Sequence, residues 1–134
     1  MIDKIYELAG FEFNVNSPKQ LGEVLFEKLN LEPKVKTKRG YSTNAEVLQK
    51  LRKTHPIIDL ILEFRKVSKL NSTYVRGFMG FKGTDGKVRP EFLQIGASTG
   101  RMACINPALQ TIPVKTDMGK RIRKAFKAGK DRVF

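Results

Sequence analysis

One cysteine and one histidine in 134 residues leave little room for metal or thiol chemistry. Cys104 alone excludes an internal disulfide and a cysteine-based zinc site, and a reducing cytoplasmic compartment is the simple reading. His55 stands before Pro56 with no second histidine, which removes His-based metal sites and Ser-His-Asp catalysis. No apolar run approaches the roughly 18 residues that a membrane span needs. The start, Met1 to Glu7, has the pattern of an amphipathic helix and not of a basic-then-apolar signal peptide. Asp3, Asp59, Asp85, Asp117 and Asp131 show no pairing of the kind a two-metal site requires. There is no internal repeat and no low-complexity tract.

Acidic residues are also scarce. The chain has 26 Lys and Arg against 13 Asp and Glu, a net charge of +13. The excess is uneven: residues 1–54 carry ten basic and seven acidic side chains, and residues 55–134 carry sixteen and six. Such a field attracts polyanions and releases their counterions on binding, so nucleic acid is the expected partner; a solvated basic surface or a scaffold is the plainer alternative. With 40% hydrophobic and 9% aromatic residues, the chain is long and apolar enough for a globular domain with a core.

The pattern predicts a mainly helical α+β protein. A short helix over 2–9 is closed by Gly10. Ser17-Pro18-Lys19-Gln20 opens a second with a capping box, and Leu21, Val24, Leu25 and Leu29 mark its apolar face. Residues 32–42, with Pro33, Gly40 and four cations (Lys34, Lys36, Lys38, Arg39), form a loop with nothing to bury. Thr43-Asn44-Ala45-Glu46 is a second capping box, ahead of inward Val47, Leu48 and Leu51. The longest helix runs from Pro56 to about Arg76, with Ile57, Leu60, Ile61, Phe64, Val67, Leu70 and Tyr74 on one face and Arg65, Lys66 and Lys69 opposite. Gly77, Gly80, Gly83 and Gly86 break it. Thr84-Asp85-Gly86-Lys87 reads as a turn between strands, with Val88 and Phe92-Leu93-Gln94-Ile95 the strand candidates and Pro90 restricting the pairing to an edge or a bulge. Thr116-Asp117 begins a last helix with Ile122, Ala125 and Phe126 inward. An extended segment starts at 131.

The most informative stretch is Gln94, Thr99-Gly100-Arg101, Pro107, Leu109-Gln110, Ile112-Pro113, then Arg121-Ile122-Arg123-Lys124-Ala125-Phe126. Arg101 and Gln110 are long hydrogen-bonding side chains on turning or Pro-bounded backbone, a form that can be aimed at a groove of nucleic acid. In this order the string resembles the family A DNA polymerases, the bacterial DNA polymerase I group and its phage relatives. The resemblance covers nearly the whole chain, from Ile5-Tyr6-Glu7-Leu8-Ala9-Gly10 to Ala125-Phe126. It implies a helical thumb-like bundle over 1–80, followed over 81–134 by a short β-hairpin at the start of an antiparallel palm sheet.

What the resemblance implies for function is a piece of a DNA-directed DNA polymerase that binds primer–template duplex. In that family the arginine of Thr-Gly-Arg contacts the minor groove at the primer terminus, and the position of Gln110 contacts the template side. Minor-groove acceptors sit at nearly the same place on every Watson–Crick pair, so an arginine there grips any correct pair without reading sequence. Lys69-Leu70-Asn71-Ser72-Thr73-Tyr74 is similar to the thumb-helix end, making Lys69, Ser72 and Thr73 phosphate contacts. Lys36, Lys38 and Arg39 match the thumb tip along the product duplex. Arg121 and Arg123 match phosphate ligands in the segment entering the palm. Ala108 and Thr111 stand where asparagines are usual, Ala103 and Cys104 where serines are usual, and Asn71 where a lysine is usual.

Plainer readings stand beside these: a surface arginine after a glycine turn, a glutamine bonded to nearby backbone, a polar helix end, and solvated cationic faces. Magnesium is implied for the complete enzyme. In the family the first catalytic aspartate lies beyond this string, and the sequence reaches Phe134 before that position; the expectation is a chain that binds DNA weakly without catalysing, in the cytoplasm of a bacterial or phage-infected cell. Its expected partners are primer–template DNA and the rest of the polymerase, fingers and remaining palm. A sheet with few strands near 87–95 is expected to be disordered or to pair between chains. The alternative is a stand-alone basic module that binds DNA or RNA.

Overall fold

The computed structural model describes residues 1–32, 36–37 and 40–129. The chain divides into two compact units, Met1–Ser68 and Lys69–Phe134. Both are built from short helices and small antiparallel ribbons, a mainly helical α+β fold as expected. Among the described residues no helix is long and apolar enough to cross a membrane.

In the first unit, helix α1 (Ile2–Ala9) buries Ile5 and ends on Gly10, whose N–H returns to the Tyr6 carbonyl at 2.8 Å. Helix α2 (Pro18–Glu23) is capped by Ser17, whose Oγ accepts from the Gln20 N–H at 3.4 Å. The capping box is not reciprocal: the Gln20 side chain accepts from Asn14 N–H at 2.7 Å, because residues 14–17 form a turn that puts that donor within reach. The helix then widens over Val24–Lys28, where Leu29 N–H bonds the Val24 carbonyl at 2.9 Å, five residues back. The extra residue per turn rotates the apolar face. Phe26 is therefore fully buried beside Leu21, Val24 and Leu25, while Leu29 lies at the core margin.

The stretch expected to be a loop holds a two-stranded ribbon. Strands β1 (Lys36–Thr37) and β2 (Gly40–Tyr41) pair antiparallel, Lys36 opposite Tyr41. Tyr41 packs on the core with its ring 5.1 Å from that of Phe26, so this segment does bury a side chain. Lys34, Lys38 and Arg39 lie outside the described residues. Helix α3 (Ala45–Lys50) is capped by Asn44, not Thr43: Asn44 Oδ1 accepts from Val47 N–H at 2.8 Å. Thr43 is instead buried, and its carbonyl and hydroxyl both accept from the Arg65 guanidinium, the hydroxyl at 3.1 Å. Arg65 was expected on a solvated face; its half-buried position pulls its pKa below the usual arginine value through desolvation. Arg65→Met, which strands the Thr43 carbonyl, is expected to destabilise this unit by about 1–3 kcal/mol, read from urea unfolding.

Helix α4 (Ile57–Leu70) buries Ile57, Ile58 and Ile61 against Ile5, Leu25, Leu48 and Leu51. Val67, expected inward, is exposed. The helix passes into a wider turn over Asn71–Arg76, where Gly77 N–H bonds the Ser72 carbonyl, and then into α5 (Gly77–Met79). Gly77 is helical and does not break it. A glycine costs only about 1 kcal/mol there, and the Tyr74–Phe78 edge contact, centroids 5.5 Å apart, holds the turn across it.

The turn at 84–87 forms as expected, with Gly83 N–H on the Lys87 carbonyl at 2.9 Å, but its flanks make only one bridge, Lys82 to Val88. Asp85 is gripped by the Arg89 side chain at 2.7 and 3.0 Å and by Lys87 N–H, which holds its carboxyl well below the usual range. Strand β3 (Glu91–Leu93) pairs antiparallel with β4 (Ala103–Ile105), Phe92 opposite Cys104. At 91–93, in the stretch where disorder or pairing between chains was expected, the chain itself supplies a partner strand. Ile95 lies past the pairing and is fully exposed. Helix α6 (Asp117–Lys124) starts at Thr116, whose Oγ1 accepts from Gly119 N–H at 3.1 Å. Ile122 and Phe126 are half-buried, Phe126 edge-on to Phe78 at 5.9 Å. Ala125, expected inward, is exposed because the helix closes at Lys124. The extended segment expected from 131 lies outside the described residues.

Candidate nucleic-acid interface

Arg101 is presented by a tight turn. Gly100 N–H bonds the Ala97 carbonyl at 3.1 Å, and Gly100 sits at φ 72°, a conformation that favours glycine. The next residue, Arg101, is exposed, and among the described residues its guanidinium has no hydrogen-bond or ion-pair partner. Two residues later β4 begins. A cationic fork thus projects from a short span between a glycine turn and a paired strand.

Gln110 lies in the single turn Leu109–Thr111, after a cis Asn106–Pro107 bond and a buried Pro107. Its amide is engaged at both ends: Oε1 accepts from Cys104 N–H, and Nε2 donates to the Met102 carbonyl, each at 3.1 Å. The plainer expectation for Gln110, a side chain bonded to nearby backbone, is thus what this structure contains. One amide N–H stays available, because the group carries two. Thr111 Oγ1 donates to the Ala108 carbonyl at 2.8 Å, so this hydroxyl serves its own turn. The Tyr74 hydroxyl donates to the Thr111 carbonyl at 2.5 Å. That bond joins the helix bearing Ser72 and Thr73 to the turn bearing Gln110. Sequence reasoning missed Tyr74 as a site residue, since an aromatic at helical spacing reads as core.

Lys69, Ser72 and Thr73 are all exposed at the helix end, and Ser72 Oγ donates to the Lys69 carbonyl at 3.2 Å. Arg121 and Arg123 are exposed on α6. Among the described residues no hydrogen bond links Arg121 or Arg123 to Arg101 or Gln110. In the other unit, Lys36 is exposed with its ammonium 5.8 Å from the Tyr41 ring centroid.

The charge of the second unit is one-sided, with fourteen Lys and Arg against four Asp and Glu in 69–134. Its described acids are occupied: Asp85 by Arg89, Asp117 by Lys120 at 3.5 Å, and Glu91 by the Asn106 amide at 3.4 Å. Among the described residues no acid therefore quenches Arg101, Arg121 or Arg123. Among the described residues no three of His, Cys, Asp and Glu converge as a metal ion would require.

Comparison with known proteins finds relatives along nearly the whole chain. The model of DNA polymerase family A matches residues 1–134. DNA polymerase I of Lactococcus lactis is 49% identical over 131 residues, 98% of this chain and 15% of that protein. DNA polymerase I of Geobacillus stearothermophilus is 51% identical over 124 residues, 92% of this chain and 14% of that protein. The chain thus spans about a seventh of the length of these relatives. Among solved structures, the POL domain of Pol1 from M. smegmatis, in complex with DNA primer-template and dNTP, aligns with a TM-score of 0.83 and 40% identity over 96% of this chain and 23% of that one. A match along its full length and near 50% identity to the bacterial enzymes make this chain a member of the family A DNA polymerases, of the DNA polymerase I type.

Proposed function

We propose that the chain supplies part of the duplex grip of a DNA polymerase, binding primer–template DNA through phosphates and the minor groove, and that it catalyses no nucleotide addition alone. The observation that carries this reading is Arg101: an exposed guanidinium with no partner among the described residues, on a fixed turn, in a unit with a surplus of ten positive charges. Arg101 takes purine N3 and pyrimidine O2 acceptors, and Gln110 brings its remaining N–H to the same groove. Lys69, Ser72, Thr73, Arg121 and Arg123 take phosphates, as do Lys36, Lys38 and Arg39. Residues 1–80 serve as thumb and 81–134 as the start of the palm, in the cytoplasm.

The second unit also holds an apolar groove of about 1090 Å³, lined by Val75, Phe78, Met79, Val88 and Ile122 among others. It is the surface on which further palm segments of a longer polymerase would pack. The short ribbons leave strand edges that favour self-association.

The test is a titration of the chain with a labelled primer–template across a salt series, beside a primer-extension assay with magnesium and four nucleotides. Duplex DNA is expected to bind with log K falling by about 0.9 per contacted phosphate for each log unit of salt, and no extension is expected. Preference for duplex RNA over DNA would favour the stand-alone module and overturn the polymerase grip; measurable extension would overturn the non-catalytic part.

A further inference from the structure

We infer that Gln110 is a positioning residue for Arg101, and that most of its effect on duplex binding runs through that arginine. The inference rests on the minor-groove reading of Arg101 and deepens it. The carbonyl that Gln110 Nε2 engages belongs to Met102, the residue directly after Arg101, and the N–H that its Oε1 receives belongs to Cys104 in β4. The two bonds span the strand start like an added rung. They hold Met102, one residue before the ladder of β4 with β3 begins, and Cys104 within it. The turn holding Gln110 is itself held by Tyr74 on Thr111 and by Thr111 on Ala108. Backbone motion at 101–102 is therefore tied to a turn fixed on the helix of Ser72 and Thr73. Ala108 and Thr111 offer no amide that could take over the task.

An arginine that must detect sub-ångström displacement of groove acceptors needs a stationary backbone, since a loose one follows the acceptor of a mispair as easily as that of a match. Loss of the rung should lower affinity for a matched terminus and, more tellingly, flatten the difference between matched and mismatched termini.

The experiment is a double-mutant cycle in the full chain, with anisotropy titrations of matched and mismatched primer–template at one salt concentration. Gln110→Met keeps the length and removes both bonds. It is expected to weaken matched binding about tenfold in the parent, since two hydrogen bonds and a held side chain are lost. In the Arg101→Ala background the same change is expected to cost about twofold or less, the remainder reporting Gln110's own groove contact, and the matched-to-mismatched ratio should fall toward one in Gln110→Met alone. Faster amide exchange at Cys104 N–H in Gln110→Met would confirm loss of the rung. Equal fold losses in both backgrounds would overturn the inference while leaving the groove reading intact. If Arg101→Ala itself binds like the parent, the groove reading fails instead. Gln110→Glu, which keeps the acceptor for Cys104 N–H but cannot donate to Met102, gives the same two-background comparison if Gln110→Met folds poorly.

Discussion

Arg101→Ala is expected to weaken binding of a matched primer–template by roughly ten- to a hundredfold, the equivalent of about 1–3 kcal/mol for a well-placed bidentate base contact. The reasoning is geometric. The side chain leaves the backbone one residue after Gly100 at φ 72° and two before β4, and among the described residues nothing competes for its guanidinium. Little of its binding is then spent on breaking internal bonds. Arg101→Lys should recover only a minor part, because a point charge on a flexible stem lacks the planar fork that spans two acceptors. The loss should be smaller on a mismatched terminus, where displaced acceptors already deny the contact. Anisotropy titrations at fixed salt measure all three. The salt slope should change by about one unit or less, since a groove contact displaces few counterions. A uniform loss on matched and mismatched termini with a steeply reduced slope would reassign Arg101 to the phosphate backbone.

Gly119→Ala is expected to destabilise the second unit by about 3 kcal/mol or more, against the intrinsic trend. Inside a helix, alanine is normally favoured over glycine by about 1 kcal/mol. Gly119 is buried, however, and a Cβ there would lie 2.8 Å from the Pro113 Cβ and closer still to its carbonyl oxygen. Both are on stiff, proline-constrained backbone. Relief requires moving α6 away from the 109–113 turn, and Arg121 and Arg123 move with the helix. Urea unfolding of the variant should therefore shift to lower denaturant, and duplex affinity should drop in parallel. A neutral or stabilising result would show that α6 does not seat on Pro113.

Local signals with one dominant cause were legible in the sequence. Gly10 ends α1, Ser17 and Thr116 cap α2 and α6, and the 84–87 turn closes where an Asp-Gly pair allows it. The residues that were misplaced depend on partners remote in sequence or on helix register. Arg65 is drawn inward by Thr43, 22 residues away. Phe26 is buried because the helix widens after Glu23, which no periodicity count at 3.6 residues per turn anticipates. Ala103–Ile105 forms a strand without strand-like composition, because Glu91–Leu93 and the Gln110 amide supply its partners. The order Thr99-Gly100-Arg101 to Phe126 marked the family directly, since that pattern is written in side chains. The double engagement of Gln110 could not be read there, for an amide near a groove and an amide on a neighbouring backbone have the same spelling.

Lys36 sits on a ribbon rooted in the interior by Tyr41. A cation on a free tether gives up conformational entropy when it meets a polyanion, and this loss offsets much of the attraction. Here the strand bearing the cation is ordered when the hydrophobic interior assembles, so that loss belongs to folding and not to association. If Lys36 takes a phosphate as proposed, its contribution to affinity should track the integrity of the Tyr41–Phe26 stack: weakening an aromatic contact in the interior would be felt as a weaker hold on a polyanion outside it.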